Sequence, residues 1–340
     1  MKQFMLWMIA VLFVTAAASA ADRLGEKAIL LEELVYTEAS FPSCHASTIV
    51  EVEPRVFLCA FFGGTGEGNN DVGIWLARRD GDGWSAPKEV AQHSGVPCWN
   101  PVLFQMPDGE TLLFYKAGPS PRDWSGLLKR STDGGKTWSK EELFPSGILG
   151  PIRAKPILLD DGTLLCGSSV ESWKTWACWM EHTSDAGKSW SKSGPIFVPG
   201  QLNGIIQPTV WKDDDGNIRM LARARGMNRI VKSISKDDGK TWTPGELTEL
   251  PNPSAGIDAV KMTDGRVALI YNHTESGRHN LSIAISADDG DTWKTAVTLE
   301  NQPKEYSYPA IIQGADGKLH ATYTYNRERI KYVILDPRQM

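Results

Sequence analysis

Six pairs of apolar runs recur along the chain, and a short polar turn interrupts each pair. Five of the six turns contain Asp-Gly, and the first contains Glu53-Pro54. Asp-Gly between two apolar runs is a strong signal for a β-hairpin. The sequence therefore predicts six hairpins, which occupy residues 47–60, 101–115, 156–167, 208–222, 257–271 and 309–323.

A second repeat, Ser/Thr-x-Asp-x-Gly-x-x-Trp, follows the hairpins. A degenerate copy at 77–84 has lost the Asp, and full copies lie at 131–138, 183–190, 235–242 and 286–293. The five tryptophans are 54, 52, 52 and 51 residues apart, a period typical of solenoids and propeller blades. We expect the hydroxyl and the carboxylate to bond backbone N–H groups of a tight turn. The glycine then adopts a positive φ, and the tryptophan packs into apolar space below.

Together the two repeats predict an all-β fold, a six-bladed β-propeller of four-stranded antiparallel blades spanning residues 21–340. Each hairpin supplies the two inner strands of a blade, and the octet lies in the turn between the third and fourth strands. Too few residues follow Asp316-Gly317 for a complete sixth blade. We expect residues 28–36, or the last strand at 330–335, to complete a blade across the two termini and remove the open edge of the ring.

The first residues have the composition of a secretory signal peptide. Lys2 is followed by an apolar stretch at 4–16 and by Ala18-Ser19-Ala20, a small-x-small cleavage site. We expect residues 1–20 to be cleaved near Ala20, the protein to be secreted or periplasmic, and no membrane span to remain afterwards. The net charge of −5 and the lack of a basic run give no reason to expect nucleic acid as a partner.

The five cysteines are few for an exported protein, and at this size the core does not need disulfides. Cys166 and Cys178 could nevertheless face each other on adjacent strands and pair. No Cys or His spacing resembles a zinc site, so the sequence calls for no metal and no other cofactor.

Strand direction alternates within a blade, so the hairpin turns and the octets share one face of the ring. The opposite face carries the starts of the first strands and the ends of the second strands, and we expect a ligand there, around the central channel. Converging arginines on that face suit a carboxylate, sulfate or phosphate. The candidate site residues are His45, Glu67, Trp99, Gln207, Arg223, Asp258, Arg278, Tyr306, Tyr308 and Arg327.

The repeated octet is the Asp box, and four full copies at blade spacing resemble the sialidase (neuraminidase) superfamily of BNR-repeat proteins over nearly all of the mature sequence. The resemblance implies three arginines that hold the substrate carboxylate, a tyrosine nucleophile activated by a glutamate, and an aspartate as acid/base. Arg223 resembles the second arginine, and Arg278 resembles the third. Tyr306 resembles the nucleophile, with Tyr308 as the neighbouring candidate.

Other positions either match the family loosely or differ from it. Glu67 or Asp71 falls in the loop where the acid/base is expected. The first arginine is replaced in a segment that contains His45, the activating glutamate by Gln207, and the acid that steadies the first arginine by Thr324. His45 is either a buried, hydrogen-bonded imidazole or a general acid or base with a pKa near neutrality.

These features predict an exported, sialidase-like exo-glycosidase that removes a terminal acidic sugar from a glycan. The resemblance implies sialic acid, whereas the replaced residues favour a uronic acid. One alternative is a lyase acting on a uronate, in which Arg223 and Arg278 neutralise the carboxylate while His45 or Tyr306 takes the ring proton. Another is a non-catalytic glycan-binding propeller that stacks sugars on Trp99, Trp124 and Trp173.

Overall fold

Short antiparallel strands make up nearly all of the regular structure in the computed structural model, which describes residues 23–81 and 83–340. The predicted signal peptide lies outside the described residues. Two 3-10 helices, Glu26–Ala28 and Pro337–Gln339, lie near the ends of the chain. In chain order the strands are β1 (Ile29–Leu34), β2 (Ser43–Glu53), β3 (Val56–Gly64), β4 (Gly73–Asp80), β5 (Gly83–Trp84), β6 (Lys88–Ala91), β7 (Cys98–Gln105), β8 (Thr111–Ala117), β9 (Ser125–Ser131), β10 (Glu142–Leu143), β11 (Ile157–Leu158), β12 (Leu164–Glu171), β13 (Trp176–Thr183), β14 (Ser191–Lys192), β15 (Ile205–Lys212), β16 (Ile218–Ala224), β17 (Arg229–Ser235), β18 (Glu246–Pro251), β19 (Asp258–Lys261), β20 (Val267–Tyr271), β21 (Leu281–Ser286), β22 (Lys294–Glu300), β23 (Tyr306–Gln313), β24 (Leu319–Tyr325) and β25 (Arg329–Leu335).

The strands form six separate antiparallel sheets, which confirms the predicted six-bladed propeller. Blade one is β2-β3-β4-β5, with β6 also paired to β4, and blades two to five are β7 to β10, β11 to β14, β15 to β18 and β19 to β22. Blade six is β23-β24-β25-β1, so the first strand of the chain forms its outer edge. The predicted closure across the termini is therefore confirmed for the N-terminal strand.

Apolar side chains from neighbouring sheets pack into clusters between the blades. Between blades five and six, for example, Ile283 and Val297 pack in one cluster with Ile311, Leu319 and Val333, all fully buried. Burying one such side chain stabilises the fold by about 1.5–3 kcal/mol. Apolar packing between neighbouring sheets thus holds the ring together.

The Asp boxes form the tight turns that the sequence predicts. In the box at 131–138, the backbone N–H of Gly135 donates to the Ser131 hydroxyl (2.9 Å), and the N–H of Thr137 donates to the Asp133 carboxylate (2.9 Å). The Thr137 hydroxyl donates to the second carboxylate oxygen (2.6 Å). Each Trp is half-buried, and in the last three full boxes its indole N–H donates to the carbonyl of the box glycine.

We expect the Asp boxes to make stability sensitive to acid. Hydrogen bonds from the box Thr or Ser side chain lower the pKa of all four box carboxyls, to about 2 in Asp237 and Asp288. Because the folded-state pKa is depressed, this stabilisation is present above the unfolded pKa of about 3.9 and is lost as pH falls towards 2.

Urea unfolding of the wild type and of Asp237→Asn at pH 6, 4 and 2.5 tests this expectation. The variant should lose stability at pH 6 and approach the wild type at pH 2.5. Parallel pH profiles for the two proteins would contradict it.

The cysteines do not pair. All five are free and buried, and Cys166 and Cys178 lie in different interblade clusters although they are on adjacent strands. The register explains this, because Cys166 is opposite Glu181 and Cys178 is opposite Ser169. The suggested Cys166–Cys178 disulfide is therefore wrong. Within residues 23–81 and 83–340, no helix is long and apolar enough to cross a bilayer.

Candidate active site

A bulge at the same position in four inner strands shapes the channel. Strands β2, β7, β15 and β23 each shift register within their first residues, so that an extra residue is inserted opposite the second strand of the hairpin. One residue of each bulge has a positive φ, which is unfavourable for residues other than glycine and clusters at functional sites. These residues are Ala46 (58°), Asn100 (41°), Gln207 (55°) and Tyr308 (50°).

The bulge in β23 separates the two candidate tyrosines. Tyr306 lies before the bulge, where its ring packs against Tyr325 in the apolar cluster between blades five and six. Tyr308 lies within the bulge and reaches Arg223, whose Nη1 donates to the Tyr308 hydroxyl oxygen (2.6 Å). Residues two apart normally share one face of a strand, and the left-handed residue breaks that rule. Tyr308, not Tyr306, is therefore the phenol that faces the arginines.

Three guanidinium groups surround the Tyr308 ring. The central carbons of Arg153, Arg223 and Arg278 lie 5.6, 5.6 and 5.5 Å from its centroid. Arg223 Nη1 also donates to Gln207 Oε1 (3.2 Å), so Gln207 positions Arg223. Tyr308 and Arg223 are 9% and 6% exposed, and Arg278 is half-buried. The expected convergence of Gln207, Arg223, Arg278 and Tyr308 is present.

His45 belongs to the same cluster. Its ring centroid lies 4.1 Å from that of Tyr308, and its Nδ1 atom lies 3.0 Å from the Thr324 hydroxyl. The two positions that differ together from the family pattern are thus in contact. Complete burial and the charges of nearby arginines, Arg327 first among them, hold the pKa of His45 well below its usual value. Burial and these charges favour the first of the two alternatives, a buried, hydrogen-bonded imidazole that is uncharged at neutral pH.

A chain of ion pairs borders the mouth of the channel. Glu305 accepts hydrogen bonds from Arg327 Nε (3.0 Å), Arg278 Nη1 (3.1 Å) and the Ser307 hydroxyl (2.9 Å). Arg327 also pairs with Glu67. Burial alone would raise the pKa of Glu305, but the bonds and charges from Arg327, Ser307 and Arg278 lower it overall. Glu305 is not among the site residues predicted from the sequence, although its place directly before the first strand of a blade is a signal for it.

Two further acids, Asp71 and Glu171, differ in their surroundings. Asp71 accepts from the backbone N–H and the hydroxyl of Thr65 (both 2.9 Å), and the Thr65 side-chain bond lowers its pKa, so it stabilises a loop as a carboxylate. Glu171, at the end of β12, is half-buried, and burial raises its pKa although the charge of Arg223 partly offsets this effect. Its electrostatic neighbours include Glu67. Glu171 is thus better suited than Asp71 to hold a proton.

Asp258 is fully occupied in holding blades together. Its carboxylate accepts from Thr209 on blade four (3.0 Å), from Lys155 on blade three (3.0 Å) and from the backbone N–H of Ile311 on blade six (2.9 Å). Three bonds from three blades leave it little capacity for a ligand. Asp258 thus has a structural role in this network, and its contact with substrate stays a prediction.

The tryptophans proposed as stacking platforms are mostly inaccessible. Trp99 is buried against Phe62 and Trp124, and its indole N–H donates to the Gly118 carbonyl (2.8 Å). Trp124 is buried in the same cluster. Trp173, at 70% exposed, is the one of the three that could stack on a sugar. Across the described residues, no group of three or more His, Cys, Asp or Glu side chains is arranged to hold a metal ion.

Comparison with known sequences places this chain in a family. The profile of the BNR repeat-like domain matches residues 55–321. A sialidase of Clostridium perfringens is 28% identical over 243 residues, which cover 58% of this chain and 62% of that protein. A sialidase of Bacteroides fragilis is 31% identical over 187 residues, covering 49% of this chain and 33% of that protein. The chain therefore spans less than two thirds of the length of these relatives.

Solved structures share the fold at low identity. A protein of unknown function from Dyadobacter fermentans superposes with a TM-score of 0.78 at 20% identity, covering 91% of this chain and 98% of its own. The Hadza microbial sialidase Hz136 superposes with a TM-score of 0.73 at 16% identity, covering 88% and 66%. The profile match covers most of the chain, and the Asp boxes, the six blades and the arginine-lined channel agree with it. This chain belongs to the BNR repeat-like domain family, within the sialidase superfamily.

Proposed function

We propose that the protein is an exported glycosidase that removes a terminal acidic sugar from a glycan. The observation that carries this proposal is the 2.6 Å hydrogen bond from Arg223 to the Tyr308 hydroxyl, with Arg278 against the same ring. A nucleophilic oxygen beside guanidinium groups suits a substrate that carries a carboxylate close to its reacting carbon. The names of the sequence relatives, all sialidases, support the same class of reaction.

We assign the substrate carboxylate to Arg223 and Arg278. Without substrate, Arg278 forms an ion pair with Glu305. The substrate carboxylate would replace Glu305 as the partner of Arg278. Arg223 has a guanidinium nitrogen, Nε, without a hydrogen-bond partner among the described residues, and it can therefore accept a new anionic partner. Arg327 lies beside them but is held by Glu67 and Glu305, which gives it a supporting role.

The reaction assigned to these groups is a displacement at the anomeric carbon. The Tyr308 oxygen forms a bond to that carbon while the glycosidic C–O bond breaks, and Glu171 gives its proton to the leaving oxygen. Water then hydrolyses the glycosyl-tyrosine intermediate, an aryl glycoside: Glu171 takes a proton from the water, and the departing phenolate regains the proton that it had lost. A neutral phenol avoids the repulsion that a carboxylate nucleophile would meet from an anionic sugar. Gln207 cannot take the phenol proton, so we assign that step to the uncharged imidazole of His45.

Elimination at a uronate is the second candidate. Here the favouring observation is the contact of a neutral imidazole with a phenol, without a carboxylate base, because such a pair can remove a ring proton beside a carboxylate that arginines neutralise. The glycan-binding alternative has less support, because Trp99 and Trp124 are buried.

A paired substrate panel tests the proposal. The purified protein is incubated with a fluorogenic sialoside, a fluorogenic uronide and uronate oligosaccharides, and both released fluorophore and the absorbance of unsaturated product are followed. We expect release from one of the two fluorogenic glycosides. Unsaturated product alone would establish the lyase, and binding without turnover on the whole panel would contradict an enzyme of either kind.

A further inference from the structure

Arg153 crosses the central channel and is buried with two of its three guanidinium nitrogens unused. It follows the loop into blade three, has a φ of 77° and is 2% exposed. Its Nη1 makes a single long contact, 3.4 Å, with the Ser47 carbonyl of blade one on the far side of the channel. Among the described residues, Nε and Nη2 have no hydrogen-bond partner. These two nitrogens form one edge of the guanidinium plane, the fork that binds an anion with two parallel hydrogen bonds.

No carboxylate of the described residues forms an ion pair with this guanidinium. The carboxylate that interacts most strongly with the charge of Arg153 is Asp258. It already accepts hydrogen bonds from Lys155, Thr209 and the backbone of blade six. Arg223 adds a second positive charge beside the same tyrosine ring, and its Nε is also unpartnered. A buried charge without a partner is strongly unfavourable, since water no longer solvates it.

One wall beside the free edge of Arg153 is a glycine, because any side chain there would crowd Nε. Gly256 lies there, and a Cβ atom at that position would be 3.1 Å from Arg153 Nε and 3.4 Å from the Tyr308 ring. The Ser47 hydroxyl, fully buried and unpartnered among the described residues, is on the segment that Nη1 contacts. Arg153 Nε therefore lies against a glycine, and a larger residue at position 256 would crowd the free edge.

We propose that the free edge of Arg153 binds a small monovalent anion, of the size of chloride or formate, inside the channel. The anion balances the positive charge of Arg153 and accepts hydrogen bonds from its Nε and Nη2, which no described protein group accepts. A sugar is too large for this position, because Arg153 is shielded by Tyr308 and Gly256. The proposal does not depend on the proposed glycosidase activity.

Thermal unfolding in different sodium salts tests the proposal on the glycan-free protein. At equal ionic strength, chloride, bromide and formate should each be compared with gluconate, which is too large to enter. An anion at a hundredfold excess over its Kd should raise Tm by about 5 °C. An effect of formate without one of the halides would identify a carboxylate seat, whereas equal Tm values in all four salts would overturn the proposal.

Variants test whether the salt effect on Tm depends on Arg153. Arg153→Met and Gly256→Ala should abolish the difference between chloride and gluconate, and Arg225→Met, which removes a half-buried arginine that stacks on Trp176, should keep it. A full salt effect in Arg153→Met would refute the assignment. If Arg153→Met does not fold, crystals of the wild type grown in sodium bromide decide the question, because an anomalous peak is expected beside Arg153 and its absence would refute the proposal.

Discussion

Tyr308→Phe should abolish turnover of the preferred glycoside, with kcat reduced by about 10³-fold or more, while Tyr306→Phe keeps kcat within about tenfold. The reason is that the Tyr308 hydroxyl is the oxygen that Arg223 contacts, whereas the Tyr306 ring packs in an apolar cluster. Steady-state kinetics of the two variants, with thermal unfolding to confirm that both fold, makes the comparison direct.

The pair is well matched, since each variant removes one hydroxyl from one end of the same strand, β23. An inactive Tyr306→Phe beside an active Tyr308→Phe would contradict the assignment of the nucleophile. Equal activity of both variants would exclude a tyrosine nucleophile altogether and favour another reaction at the arginines.

Lys116→Met should stabilise the protein at pH 8 by about 2–3 kcal/mol. Lys116 is completely buried, and its ammonium group donates only to the Pro151 carbonyl (2.9 Å). Burial lowers the pKa of Lys116 to about 7, although the charge of Glu181 acts in the opposite direction. Because the folded-state pKa lies below the unfolded value of about 10.4, the wild type loses stability as pH falls from about 10.4 to 7.

Methionine fills a similar volume without a charge, so it removes this loss but leaves the Pro151 carbonyl without its donor, at a cost of about 1 kcal/mol. Urea unfolding of both proteins from pH 7 to pH 10 measures the difference, which should shrink as the pH rises. Lys174→Met is the control, because Lys174 is exposed and should change stability little at any pH. A destabilised Lys116→Met at pH 8 would show that the ammonium group is needed.

The sequence was sufficient for the architecture because the fold repeats the same local signals. An Asp-Gly turn between apolar runs specifies a hairpin, and an Asp box specifies the next turn, so the blade count follows from short stretches of sequence. Successive strands of a blade run in opposite directions, which predicted that His45, Gln207, Arg223 and Arg278 lie on one face of the ring. The structure has them close to Tyr308.

The detail of the site could not be predicted in the same way. A bulge adds one residue to a strand and reverses the direction of the side chains that follow. Proline follows the left-handed residue in three of the four bulges, but Ser47 stands there in β2, so proline does not mark every bulge. The choice between Tyr306 and Tyr308 depended on the bulge in β23. The burial of Trp99, the neutral state of His45 and the pairing of Glu305 with two arginines likewise depend on contacts between blades that are far apart in sequence.

The closing strand has a consequence for biosynthesis. Blade six combines β1, one of the first segments made, with three strands made last. Until β23, β24 and β25 have been synthesised, blade six lacks those strands, and β1 has an unpaired edge that can associate with other chains. Ring closure therefore cannot precede the synthesis of β25, and β1 has to remain available for pairing until then.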